Sequence, residues 1–247
     1  MRRLGYLLMG TMMLLAACSV GSNSQNTAET RDPLAIAQAA ADNLRNVETF
    51  RMEIEQTGAP HFIGVDIGDG VIEATLRRGI GQWEAPDLML AEIDLIAAGL
   101  PVGVEIFSQS ENQWFRGLFT ANRWVNAPFA EGFNPAVILG EDTGINAVLA
   151  MLDEIEFIGE ESLEDGSDVY HLRGVTNGDI VSTIVGGWIL FPERVIADVF
   201  IERETNQILR LILVEPGTET EEDPVPSTWR IDVFDINAES EIVPPDA

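Results

Sequence analysis

Apolar residues along this chain recur with two different periods, and each period keeps to its own stretch. Leu34, Ala37, Ala41 and Leu44 repeat at helical spacing behind Asp32-Pro33, a capping residue and a proline suited to a first turn. One amphipathic helix is therefore expected to about Asn46. Beyond it the period drops to two. Phe50, Met52 and Ile54 alternate with Arg51, Glu53 and Glu55; Ile72, Ala74 and Leu76 alternate with Glu73, Thr75 and Arg77. Ala91, Ile93 and Leu95 alternate with Glu92 and Asp94, and strand character continues through Val104-Glu105-Ile106 and residues 113–116. A hairpin is expected over residues 108–112. Alternation of this kind predicts antiparallel strands with one dry and one wet face.

The middle of the chain changes character. Residues 134–140 read as a short helix capped by Asn134 and stopped by Gly140, and residues 142–152 carry Ile145, Val148, Leu149 and Leu152 on one side of a second. Strand patterns resume at 155–161 and 168–175 around the turn Glu164-Asp165-Gly166. Thr176-Asn177-Gly178-Asp179 has capping-box character and opens a third helix, ending near Gly186-Gly187. Strands at 195–204, 207–215 and 228–236 complete the series, with Thr205-Asn206 as a hairpin and residues 217–226 as an acidic loop. The expected fold class is α+β, an antiparallel sheet with short helices on one face.

The N-terminus has its own pattern. Arg2 and Arg3 head an apolar run from Leu4 to Leu15, which ends in Ala16-Ala17-Cys18. A spanning helix needs ~20 apolar residues, so the run is too short to be one. It has the form of a signal peptide closed by a lipobox. Residues 1–17 are expected to be removed, leaving Cys18 as an acylated N-terminus; two or three acyl chains hold a protein durably where one does not. Residues 18–31 then form a lipidated, flexible tether, 32–237 the folded domain, and 238–247 a disordered tail. The expected location is the extracytoplasmic face of the cell membrane.

Charge narrows the partners. Fourteen arginines and no lysine face 41 acidic residues, a net −27 that becomes −29 once Arg2 and Arg3 are gone. Such a chain repels nucleic acid and anionic headgroups. Cys18 is the single cysteine, which excludes an intramolecular disulfide and a cysteine metal site. Stability must come from apolar burial.

Catalytic motifs are missing: there is no Gly-x-Ser-x-Gly, phosphate loop, dinucleotide fingerprint or His-Glu-x-x-His. His171 lies within a strand pattern and reads as a hydrogen-bonded structural residue. The stretch 66–73 resembles a calcium loop only superficially, lacks the alternating ligands, and reads as a hairpin turn at 68–70. No enzymatic activity, cofactor or metal is expected. What is left is apolar excess, with Trp114, Phe115, Trp124, Phe129, Phe133, Trp188 and Phe191 including several aromatics beside turns or helix entries. Short, glycine-bounded helices at 134–152 and 176–187 could cover a sheet without sealing it, and a lipid-sized cavity fits that arrangement.

With those residues in view, the chain resembles the LppX/LprG-type lipoproteins. The likeness runs from Asp32 to Phe234. It covers Val47-Glu48-Thr49-Phe50-Arg51-Met52 at the helix-to-sheet passage, Asn126-Ala127-Pro128 ahead of residues 134–139, Ile158-Gly159 with Val169–Gly174, and the late hairpin from Val199 to Leu211. The resemblance implies a half-barrel antiparallel sheet wrapped around short helices and enclosing a hydrophobic cavity, more distantly similar to the LolA/LolB carriers. It implies binding of lipid or glycolipid acyl chains, carried or presented in the envelope, with a membrane transporter as a possible partner. Apolar position alone nominates the lining: Ile93, Leu95, Val104, Ile106, Trp114, Val137, Ile138, Val148, Leu149, Leu152 and Ile184. The alternative is a lipid-anchored adaptor or sensor that docks an envelope protein, its interior filled by side chains.

Overall fold

In the computed structural model, which describes residues 31–66, 71–185, 187 and 189–245, two antiparallel meanders are joined side by side into one curled sheet. The helix α1 (Pro33–Leu44) opens the domain, with Pro33 in its first turn and the Asp32 carboxylate accepting from the Leu34 N–H. The first meander runs β1 (Thr49–Thr57), β2 (Phe62–Asp66), β3 (Val71–Glu84), β4 (Leu88–Ala97), β5 (Leu100–Gln109), β6 (Asn112–Gly117) and the two-residue β7 (Val125–Asn126). A 3₁₀ helix at Pro135–Leu139 and α2 (Gly144–Ala150) lead into the second: β8 (Asp153–Ser162), β9 (Asp168–Asn177), α3 (Gly178–Ile184), β10 (Arg194–Glu202), β11 (Ile208–Glu215) and β12 (Ser227–Phe234). The order across the sheet is β7-β6-β5-β4-β3-β1-β12-β11-β10-β9-β8. The first five residues of β3 pair with β2, and its last seven pair with β1. β1 pairs with β12 on its other side, which is the seam between the meanders.

The sheet curls without closing, matching the expected half-barrel class. Its free edges are protected differently. β7 is too short to template another chain, whereas β8 carries Asp153, Glu154, Glu156, Glu160 and Glu161 along its length. The inner face packs a continuous core from Ala37 to Val233 against α1, α2 and α3, and Arg31–Ala247 forms one compact unit.

Several local expectations shift. Residues 135–139 are 3₁₀ rather than α-helical, though Asn134 caps them by accepting from the Ala136 N–H. The second helix begins only at Gly144, whose φ of +58° and approach to the Ile138 carbonyl leave no room for a Cβ. Thr176 belongs to β9, and the cap of α3 is Asn177, accepting from the Asp179 N–H. β2 and β7 are strands that periodicity did not reveal, since each is too short to show it. The tail expected to be disordered is partly held: Thr49 donates to the Ala238 carbonyl, and Glu241 pairs with Arg51 and donates its N–H to Gln82. The leader, Cys18, tether residues 18–30 and the turn at 68–70 lie outside the described residues.

On the outer face charges pair across strands. Glu53 accepts from Arg78, Arg230 bridges Glu55 and Asp232, and Arg210 bridges Asp232 and Glu164. The Arg78 hydrogen bond holds the Glu53 carboxyl below its ordinary value of 4.5, and the Ser167 backbone N–H does the same for Asp165 below 3.8. Both carboxyls bind protons less readily folded than unfolded. Their stabilisation is present above the unfolded values and is lost as pH falls through the lowered ones. The melting temperature is expected to stay level from neutral pH to about 5 and to drop below about 4.5. Glu53→Gln should show a shallower drop in thermal melts recorded against pH.

Candidate functional site: an apolar cavity beneath the helical cover

Register on the inner face determines the shape of the site. Three cross-strand rows run over β1, β3, β4 and β5: Ile54–Gly79–Ile93–Val104, Met52–Gly81–Ala91–Ile106, and Phe50–Trp83–Met89–Ser108. Two of the three rows have glycine on β3, so a trough runs along the sheet where side chains would otherwise stand. Phe129, Phe133, Ile138, Ile184, Val185 and Ile189 lie above it. Between cover and sheet is an apolar cavity of about 70 Å³.

Few polar contacts fasten the cover to the sheet. The Trp83 indole N–H donates to the Pro135 carbonyl at 2.9 Å. Buried Gln113 on β6 clamps the 129–133 loop, donating to the Ala130 carbonyl at 2.7 Å and accepting from the Phe129 and Ala130 N–H groups at 2.9 and 3.0 Å. Within the cover, the Gly144 N–H donates to the Thr183 hydroxyl at 2.6 Å, tying α2 to α3.

At one end of the inner face sits a buried polar cluster. Glu215, only 2% exposed, accepts from the Trp229 indole at 2.6 Å and contacts His61 Nδ1 at 2.8 and 3.0 Å. Phe191 packs edge-on to Trp229 and tilted against His61. His171, by contrast, is on the outer face. Its two ring nitrogens meet Glu161 at 2.6 Å and Asp198 at 2.7 Å, its ring stacks on Phe200, and Arg173 also donates to Asp198. Among the described residues no three His, Cys, Asp or Glu side chains converge as a metal site.

Of the residues nominated from sequence, Ile93, Ile106, Ile138 and Ile184 line the cavity. Leu95, Val148, Leu149 and Leu152 are buried in the same core but away from the lining, and Val104 and Val137 are half-buried against it. Trp114 faces the other way. Phe115 pairs with Ile106 on the inner face, so Trp114 turns outward onto Phe107, their rings 5.3 Å apart. The lining also includes Phe50, Met52, Trp83, Met89, Phe129, Phe133 and Ile189, none nominated from sequence. Alternation had put Phe50 and Met52 on a dry face; only the β1–β3 pairing sets them at the trough.

The family described as LppX_LprAFG lipoprotein matches residues 32–238. Among solved structures, the chain is similar to LprF from Mycobacterium bovis, at 12% identity and a TM-score of 0.63, covering 87% of this chain and 97% of that one. It is also similar to the lipoprotein LppX from Mycobacterium tuberculosis, at 15% identity and a TM-score of 0.55, covering 85% of this chain and 98% of that one. No curated protein matches the sequence.

The two glycines of the trough differ in their surroundings. A Cβ at Gly79 would meet nothing nearer than the Glu92 carbonyl at 3.9 Å, while one at Gly81 would come within 2.9 Å of the Ala91 Cβ. Gly79→Val is expected to fill the cavity and gain about 0.5–1 kcal/mol by restricting the unfolded chain. Gly81→Val is expected to lose about 1–3 kcal/mol to overpacking. Urea unfolding of the two variants checks the difference in sign.

Proposed function

The chain belongs to the LppX_LprAFG lipoprotein family, and on that premise we propose that it binds lipid or glycolipid acyl chains between sheet and helices and carries or presents them in the cell envelope. The observation that carries this reading is the apolar trough, roofed by separate short segments and continuous with the core. Its chemistry suits hydrocarbon: the side chains that the inner face and the cover present to it are aliphatic and aromatic. We assign no covalent chemistry to it. Cys18, acylated, would anchor the domain to the extracytoplasmic face of the membrane, and a transporter in that membrane is the natural source or recipient of the ligand.

Size decides how loading must happen. Small-molecule sites typically hold ~300–1,000 Å³, several times the 70 Å³ between sheet and cover. A loaded protein must therefore lift its cover. Burying a ~16-carbon chain is worth on the order of 12 kcal/mol before ordering costs, at ~0.8 kcal/mol per methylene. That can offset separation of a cover held to the sheet by apolar contact and by the bonds of Trp83 and Gln113. The same small volume favours the second reading, a lipid-anchored adaptor whose interior is simply filled.

Native mass spectrometry of the chain from Arg31 onward, recovered from an envelope-containing extract, separates the two. The carrier reading expects a stoichiometric adduct that extracts as a diacyl or triacyl lipid. It also expects Gly79→Val to lower that loading several-fold while the cooperative unfolding transition persists. A bare mass after incubation with envelope lipids would assign the adaptor role instead.

A further inference from the structure

Because every pairing is antiparallel, the loops divide between two ends of the sheet, and the ends differ in chemistry. One end carries the turns at 85–87, 110–111, 163–167 and 203–207, which include Asp87, Glu111, Glu164, Asp165, Arg203 and Glu204. Asn43 of α1 donates to the Thr205 carbonyl there. The opposite end carries the start of β3, the β4–β5 turn, the turn after β6, the α3–β10 connection and the β11–β12 loop. There Val71, Leu100, Leu118, Phe119, Leu190 and Val225 are exposed, Leu118 at 79% and Leu190 at 74%. Single exposed apolar residues are ordinary, but this many on separate loops at one end are not.

We infer that this apolar loop end is a membrane-docking surface that enters the headgroup region of a lipid bilayer. Leu118 and Phe119 are its best-defined element. They project from a short 3₁₀ helix held by four hydrogen bonds: Gly117 N–H to the Thr120 hydroxyl, that hydroxyl to the Gly117 carbonyl, Ala121 N–H to the Leu118 carbonyl and Asn122 N–H to the Gly117 carbonyl. Phe119 also rests its ring 5.8 Å from Phe115, which packs against the core. An apolar pair fixed on a loop tip is presented, not frayed. Leu190 directly follows Ile189 of the cavity lining, so the α3–β10 connection runs from this end to the cover, while the strand rows beneath the cavity lie toward the opposite end. Side chains spread over separate loop tips suit a deformable surface better than a pocketed protein partner.

Charge specifies the kind of bilayer. The chain is strongly acidic, and Glu219, Glu221, Glu222 and Asp223 lie in the β11–β12 loop at this same end. Anionic headgroups would be repelled, so insertion must be driven by apolar side chains into neutral or zwitterionic lipid. Thirteen residues, the number from 19 to 31, can span at most about 45 Å at ~3.3–3.6 Å each, more than the ~33 Å of a ten-residue strand. An anchor at Cys18 therefore permits docking on the bilayer that holds it. The biological purpose of the surface rests on the lipid-carrier reading, but vesicle binding is measured separately from loading.

The test is co-sedimentation of the chain from Arg31 onward, lacking Cys18, with phosphatidylcholine vesicles and with vesicles containing phosphatidylglycerol. Binding to phosphatidylcholine is expected, weakened at least tenfold by Leu118→Asp combined with Phe119→Asp, and unchanged by Leu34→Asp on α1. Phosphatidylglycerol vesicles should bind less at low salt and recover as salt screens the repulsion. No binding by the unaltered chain, or equal binding by the double variant, overturns the inference. So does a dimer in sedimentation velocity that the double variant abolishes, which would give the surface to a second copy. Native mass spectrometry of the double variant reads the carrier function independently: a retained lipid adduct leaves that reading standing even where docking fails.

Discussion

The constraint on which this structure depends is the covering of one long apolar sheet face with very little helix. A twelve-stranded sheet presents far more dry surface than the three α-helices among the described residues, two of them seven residues long, can hide if the sheet is flat. Twist and curl solve part of the problem by letting the sheet face itself. The β1–β12 seam makes that possible, because it turns two meanders into one continuous surface. The irregular segments do the rest: Phe129, Phe133, Ile138 and Ile189 are cover residues that belong to no α-helix. A cover built this way has many apolar contacts and few directional ones.

That construction separates a part held by continuous backbone hydrogen bonding from one held mainly by packing. Strands on the inner face are bound on both sides by backbone ladders, and their outer face adds a connected set of arginine–carboxylate pairs from Glu53 to Glu164. The cover answers to Trp83 and Gln113 and otherwise to packing. Interiors of this density resist small deformation but can repack when a ligand supplies equivalent contacts. Glycines 79 and 81 place the thinnest layer of side chains directly below the cover, where an acyl chain would begin to lodge. A single architecture thus accounts for the small cavity and for the capacity proposed for it.

Buried charge follows a different logic. Glu215 and Asp198 are both nearly inaccessible, and each is satisfied locally, by Trp229 and His61 in one case and by His171 and Arg173 in the other. Leaving either carboxylate unpaired would cost several kcal/mol, on the order of the whole stability of many domains. Their aromatic partners give them low-entropy, well-defined surroundings. The Glu215 cluster also links β11, β12 and His61 at one end of the inner face, on the side where the sheet meets the apolar loops.

What the sequence by itself determined was local and periodic. Alternation at Phe50–Ile54 and Ile72–Leu76 identified dry faces, Asp32-Pro33 started a helix, and Gly140 ended a short one, because each of these signals acts over a few residues. The ordered elements together were enough to recognise the family. Tertiary structure alone decided which dry faces meet. No spacing in the chain says that β1 lies between β3 and β12, so Phe50, Met52 and Trp83 could not be assigned to the trough beforehand. Trp114 shows the same limit from the other side: in a strand one residue's offset reverses the face, and only pairing with β5 settled which neighbour pointed inward. The cavity belongs to this second class, since a void is a property of what opposing surfaces fail to fill.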